Sequence, residues 1–180
     1  MDVKAIIPGL DVSNKLKGLT FLKLNKNDNI VEYIVDFLKS INIMVVEEKL
    51  PSDTILPGLS IKGNTILMDL EKLRYPGDLL HEAGHIAVTE EKLRPLIGTE
   101  EIGSNWPTEG DEIASILWSY AASYHLGLDL QIVFHQAGYK NDSEWLIEQF
   151  NSQNYIGLPL LEWMSLCDKA EFPVMKKWLR

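Results

Sequence analysis

The segment His81-Glu82-Ala83-Gly84-His85 has the residue types and the spacing for metal chemistry. On a helix, positions i and i+4 lie on one face about one turn apart, so His81 and His85 aim two imidazoles at one point. Neutral imidazole suits a borderline-soft cation such as zinc. Glu82 projects about 100° around the helix from His81, away from that shared direction. It is placed as a general base, taking the proton of a water that zinc acidifies. Ala83 and Gly84 are small and let a second backbone come close. The pattern arises in about 0.5% of shuffled sequences of this composition, which leaves a solvated histidine pair as the minor reading.

Catalytic zinc takes three protein ligands and keeps one position open. The extended motif would supply a third histidine six residues after His85, with a glycine between. Val88 and Glu91 stand at those places, so that form is excluded. His125 and His135 have the chemistry, but both lie in apolar helical segments where a packed or rim histidine is expected. Three carboxylates at the start of a later helix are better candidates: Glu109, Asp111 and Glu112. Glu112 is preferred, because it shares a face with Ile116, Ser119 and Ser123 that can sit against Ala83 and Gly84. Asp111 has a competing use in the helix cap, and Glu109 is expected ahead of the helix. Acidic residues are favoured at helix N-termini in any case, so the choice stays open.

The elements that must position these residues read as an α+β chain. Phe21-Leu22-Lys23-Leu24 alternates in part, as a short strand does. Asp28 is expected to cap a helix over about 29–40, with Ile30, Ile34, Phe37 and Leu38 as its apolar stripe. Ile43-Met44-Val45-Val46 reads as a buried strand. Two apolar runs flank Gly63-Asn64 between Leu59 and Asp69, which predicts a β-hairpin. The metal helix runs from about Asp78, its expected cap, to Val88. A turn-rich crossing follows from Glu90 to Trp106. Thr108 and Asp111 have capping-box spacing ahead of a long helix ending near Gly127. Three short helices are expected after it, over 129–137, 141–150 and from Pro159, with a terminal one from Phe172-Pro173. One domain is expected over 1–180: a β-rich part (1–75), a metal-site helix pair (76–127) and a helical C-terminal part (128–180).

Composition narrows the function classes. The 180 residues carry 17 basic and 26 acidic side chains, a net charge of −9. That surface repels phosphate backbones, so nucleic acid is not an expected partner. Lys176, Lys177 and Arg180 form the densest basic group and read as cations at a helix end. No apolar run approaches a membrane span, and the N-terminus lacks the pattern of a secretory signal. The single cysteine, Cys167, is expected to be a buried thiol. With no disulfide framework available, a cytoplasmic setting is expected. Oligomeric state is not readable.

The His81 to His85 segment resembles the zinc signature of zincin metallopeptidases. Glu112, leading the alanine-rich run Glu112-Ile113-Ala114-Ser115-Ile116-Leu117-Trp118-Ser119-Tyr120-Ala121-Ala122, resembles the third ligand of the gluzincin branch. The likeness covers about residues 59 to 125. It implies a zincin-like fold, His81, His85 and Glu112 as zinc ligands, and Glu82 as general base. It also implies a sheet-edge strand above the active helix, a place for Thr65 to Met68, where an extended peptide substrate adds by strand pairing. A peptidase needs a donor for the oxyanion, and Tyr120, Tyr124, His125 and Arg94 are the candidates. The leading expectation is a zinc-dependent peptidase or amide hydrolase acting on a peptide or protein. The alternative is a zincin-scaffold metal-binding regulatory or interaction protein, with Trp106 the tryptophan most expected at its surface. A metal-free helical protein with an accidental motif is the third.

Overall fold

A computed structural model describes residues 26–180. The Phe21 to Leu24 strand expectation lies outside these residues. Six helices and three strands are seen: α1 Lys26–Ser40, β1 Met44–Glu47, β2 Leu59–Lys62, β3 Thr65–Met68, α2 Asp78–Val88, α3 Glu109–Leu126, α4 Leu130–Val133, α5 Ser143–Asn151 and α6 Leu158–Trp163. The chain is thus α+β, with a small sheet early and helices after it. Among the described residues no helix is long and apolar enough to cross a membrane.

Helix α1 begins earlier than expected, so Asp28 lies inside its first turn instead of capping it. Its stripe forms as the period requires: Ile34, Phe37 and Leu38 are buried. The hairpin also forms, with Lys62 opposite Thr65 across Gly63-Asn64, and Gly63 takes the positive φ of 60° that such a tight turn needs. Strand β1 departs from expectation. It is an edge strand rather than a buried one, with Met44 53% and Val46 43% exposed. Its apolar residues alternate between faces, and only the face bearing Ile43 and Val45 turns inward.

The sheet order is β1-β3-β2, with β1 parallel and β2 antiparallel to β3. This corrects the expectation that Thr65 to Met68 is the edge strand. Residues 65–68 pair with 44–47 on one side and with 59–62 on the other. Their backbone donors and acceptors are therefore consumed, and no peptide can add there.

Helices α2 and α3 form the centre of the fold. Leu79, Leu80, Ile86, Val88, Leu117 and Trp118 are fully buried, each contributing about 1.5–3 kcal/mol of apolar burial. Small residues let the two helices approach. A Cβ on Gly84 would lie 2.9 Å from the Ser115 carbonyl oxygen. Ser119 Oγ lies 3.1 Å from Leu80 O across the interface and 2.7 Å from Ser115 O in its own helix. The capping box at Thr108 and Asp111 is present, and Gly127 closes α3 in the left-handed region. Helix α2 lacks the expected cap. Gly77 stands at its N-cap with no side-chain bond, and Asp78 is turned inward. Gly77 is needed because any Cβ there would meet Ile132 O at 2.0 Å.

The C-terminal part differs most from the sequence reading. Helix α4 is a single turn, ended by Phe134 at ψ 61°. No helix forms from Phe172; an isolated bridge joins Cys167 to Met175 instead. The last residues pack as a strap. Trp178 sits edge-on to Phe37 at 5.0 Å and to Trp118 at 5.4 Å, and Arg180 N donates to Ala87 O at 2.9 Å. The Arg180 guanidinium reaches Val88 O. It thus complements the carbonyl end of α2 instead of a helix of its own. Cys167 is buried, as expected.

Candidate metal centre

Helical periodicity puts His81 and His85 on the same side of α2, with their Nε2 atoms 3.2 Å apart. Glu112, in the first turns of α3, completes the group. Its Oε1 lies 3.5 Å from His81 Nε2 and its Oε2 lies 3.3 Å from His85 Nε2. Three ligand atoms converge from two helices, all within 4.8 Å of one another. Donors about 2.0–2.1 Å from a tetrahedral zinc stand about 3.3 Å from each other, so the observed spacings fit such an ion. These residues could hold a metal ion.

The surroundings support that chemistry. Ser115 Oγ lies 2.7 Å from Asp111 O, to which it donates its only proton. It must then accept from His85 Nδ1, 3.1 Å away. That bond leaves the lone pair of His85 Nε2 facing Glu112. His81 Nδ1 is buried with no partner among the described residues. Burial holds the His81 imidazole down to about 3, with nearby His85 adding to the shift, and holds His85 down to about 4. Both rings are therefore neutral, the form that binds a metal.

Glu82 leaves the helix next to this face and is partly buried. Burial first, with the carboxylates of Asp78 and Glu112 adding to it, raises its carboxyl to about 8. Burial also raises Glu112, against the pull of Lys140. Asp78, Glu82 and Glu112 thus crowd carboxyl groups around two neutral imidazoles, and a divalent cation there would favour their ionised forms.

The other carboxylates are not brought together with the histidines. Asp111 is spent in the capping box, where its Oδ2 accepts from Thr108 N at 3.0 Å. Glu109 is exposed. His125 packs between Phe37 and Trp178 at ring distances of 5.5 and 5.2 Å. His135 bonds Asp78 through Nε2 at 2.8 Å and stacks on Tyr75 at 3.7 Å.

None of the four expected oxyanion donors serves here. Tyr120 packs on Phe150 at 4.6 Å, Tyr124 is 60% exposed, His125 is in the aromatic cluster, and Arg94 binds the Thr89 and Arg180 carbonyls. Tyr139 lies beside the group instead, and sequence reasoning missed it. Its ring meets His81 edge-on at 5.5 Å, and its hydroxyl is buried without a partner among the described residues. Burial first, then the negative charges of Asp78, Glu112 and Glu82, keep the phenol protonated. No spacing rule marks it, because it sits on a turn where Tyr139, Lys140 and Asn141 all have positive φ. Ser115 was also missed, although its position three residues after Glu112 signals a shared face.

Trp106 is not the exposed tryptophan expected. Its ring lies 6.0 Å from His85, and its Nε1 donates to Thr89 Oγ1 at 3.1 Å. Trp163 and Trp145 are the exposed ones, at 69% and 49%. A cleft of about 730 Å³ opens beside the group, with Glu112 and Tyr139 in its wall. No protein-family model, no curated protein and no solved structure matches this chain.

Proposed function

We propose that the chain is a zinc-dependent hydrolase of peptide or amide bonds, built on a zincin-like scaffold of the gluzincin type. The carrying observation is the convergence of His81 Nε2, His85 Nε2 and the two Glu112 carboxylate oxygens, with neighbouring contacts of 3.2–3.5 Å. His81, His85 and Glu112 would hold the ion. Zinc bound there supplies a Lewis acid that polarises a carbonyl and makes a water nucleophilic.

The chain's own residues carry the remaining steps. Glu82 accepts the proton of the attacking water and returns it to the leaving amine. Its raised affinity for protons, from burial and from neighbouring carboxylates, suits holding that proton between the two transfers. The Tyr139 phenol, kept protonated, donates to the carbonyl oxygen as charge develops on it. Ser115 fixes the His85 ring through Nδ1. Neither sheet edge is assigned to the substrate.

Metal analysis of untagged protein purified without added zinc, with cleavage assays on a peptide library, tests this. One zinc per chain with cleavage is expected. Glu82→Gln is expected to keep the zinc and lose turnover. Normal cleavage by that variant would refute the mechanism. Stoichiometric zinc with no cleavage would favour a metal-binding scaffold that regulates or docks a partner, and absence of zinc would sink both.

A further inference from the structure

His85 is gripped more firmly than His81. The Nδ1 of His81 has no partner among the described residues, whereas the His85 ring is fixed through Nδ1 by Ser115. A second hydroxyl holds the His85 backbone. Thr89 Oγ1 donates at 2.7 Å to His85 O, one of the last four carbonyls of α2. With its proton spent there, that hydroxyl accepts from Trp106 Nε1 at 3.1 Å, and an indole nitrogen can only donate. The bond therefore has one polarity, running from indole to hydroxyl to carbonyl. Arg94 Nε donates to Thr89 O at 3.1 Å, so Thr89 is pinned at backbone and side chain alike. The indole also stands edge-on to the His85 imidazole, with ring centroids 6.0 Å apart.

Trp106 lies on the path that delivers Glu112 as well. The crossing from Glu90 to Asn105 brings the chain back to the end of α2, and Trp106 stands just ahead of Thr108, the cap of α3. Glu112 N in turn donates to Thr108 O at 2.9 Å. Glu112 is thus bracketed along the chain. On its C-terminal side, α3 is tied to α2 by the close packing of Ser115 on Gly84. On its N-terminal side, the tie is Trp106 to Thr89. A single tie sets the separation of two helices and leaves the first turn of α3 free to swing. Two ties on either side of Glu112 set the angle too. A metal centre needs that, because its ligands must be held within about 0.5 Å of working geometry by the residues around them.

We propose that Trp106 is a positioning residue of the metal centre. Acting through Thr89, its indole ties the end of α2 to the start of α3 and so holds His85 and Glu112 at ligand spacing. The proposal rests on the metal centre of the hydrolase reading and adds what keeps the two ligand helices in register. A phenyl ring at this position would keep the wall beside His85 and lose the donor.

The test measures zinc affinity of the full-length protein by competition with a chromophoric chelator, and urea unfolding of the same variants without metal. Trp106→Phe and Thr89→Val are each expected to weaken zinc binding about tenfold, and Trp106→Ala by up to about 100-fold. Thr89→Ser, which keeps the hydroxyl, is expected to restore the wild-type affinity. Visible spectra of cobalt-loaded protein should differ between wild type and Trp106→Phe, because the ligand geometry changes. Phe37→Leu, in the aromatic cluster with Trp118 and Trp178, is the control. It should lower the urea midpoint and leave zinc affinity unchanged, since protein that stays folded binds without regard to its margin of stability. Should Trp106→Ala fail to fold, Trp106→Phe and Thr89→Val decide. Wild-type affinity in those two variants, or an equal loss in Phe37→Leu, would overturn the positioning role. Tight zinc binding that ignores Trp106 sinks this role alone. Wild-type protein that takes no zinc sinks the hydrolase reading, and this role with it.

Discussion

Helix α2 takes part in histidine–carboxylate contacts at two places, and the two arrangements differ in kind. At its N-terminus, Asp78 meets one histidine, His135, through a single 2.8 Å contact. The ring stacks on Tyr75, and the pair is a local, two-body arrangement. One to two turns further on, His81 and His85 point ring nitrogens at each other and at a carboxylate with both oxygens engaged. His85 Nε2 carries no proton when Ser115 accepts from Nδ1, and burial disfavours charging either ring. The 3.2 Å approach then takes either an Nε2–H of His81 or a cation between the two nitrogens. Convergence of donor atoms, and not the nearness of a histidine to an acid, separates a metal centre from a structural pair.

The largest expected contrast is in metal binding. His85→Ala or Glu112→Ala should weaken zinc affinity by more than about 100-fold, since losing a ligand exceeds the effect of losing a ligand's support. His135→Ala should leave the zinc stoichiometry unchanged. Competition with a chromophoric chelator measures both, and equal losses would erase the distinction. Next in size is Ser115→Ala, which removes the acceptor that orients His85. A weakening of about 10–100-fold is expected, with an unchanged far-ultraviolet spectrum.

Gly84→Ala probes the approach that lets α3 deliver Glu112 to α2. Its Cβ would stand 2.9 Å from Ser115 O, closer than real contacts allow. Urea unfolding should show a loss of about 1–3 kcal/mol, together with weaker zinc binding. Unchanged stability would mean the helices separate freely and the centre is not held by that contact.

The smallest effect concerns the structural pair. Burial raises Asp78 above the usual carboxylate value, against the opposing bond from His135. A raised carboxyl favours folding most when protonated. Its contribution is present below about 3.8, the unfolded value, and is lost as pH rises through the higher folded value. Asp78→Asn lacks this titration. The stability difference between wild type and variant, measured on metal-free protein, should therefore shift toward the variant as pH rises from about 3.8. A difference that is flat with pH would show that Asp78 titrates as an exposed acid does.

Much of this was legible before any tertiary structure. The four-residue spacing of His81 and His85 needs only helical period. Thr108 and Asp111 announce the start of α3, and that start in turn puts Glu112 on the inward face and spends Asp111 in the cap. Gly63-Asn64 marks the hairpin by turn chemistry alone. Other features had no local signal. An apolar run such as Ile43 to Val46 reads the same for a central and an edge strand, because pairing partners are set by the rest of the sheet. Residues 172–180 look helix-compatible, yet Trp178 and Arg180 gain more by docking on Phe37, Trp118 and the end of α2.

The sequence by itself determined the candidate ligand types, their helical faces and the small residues between them, because these depend on periods of three or four positions. Tertiary structure alone decided which carboxylate reaches the histidines and that β3 is enclosed by two neighbours. It also brought Tyr139, 58 positions after His81, against that ring. Those outcomes depend on distances across the chain, which are settled only when α2, α3 and the sheet bury their faces together and leave each polar group the partners that remain.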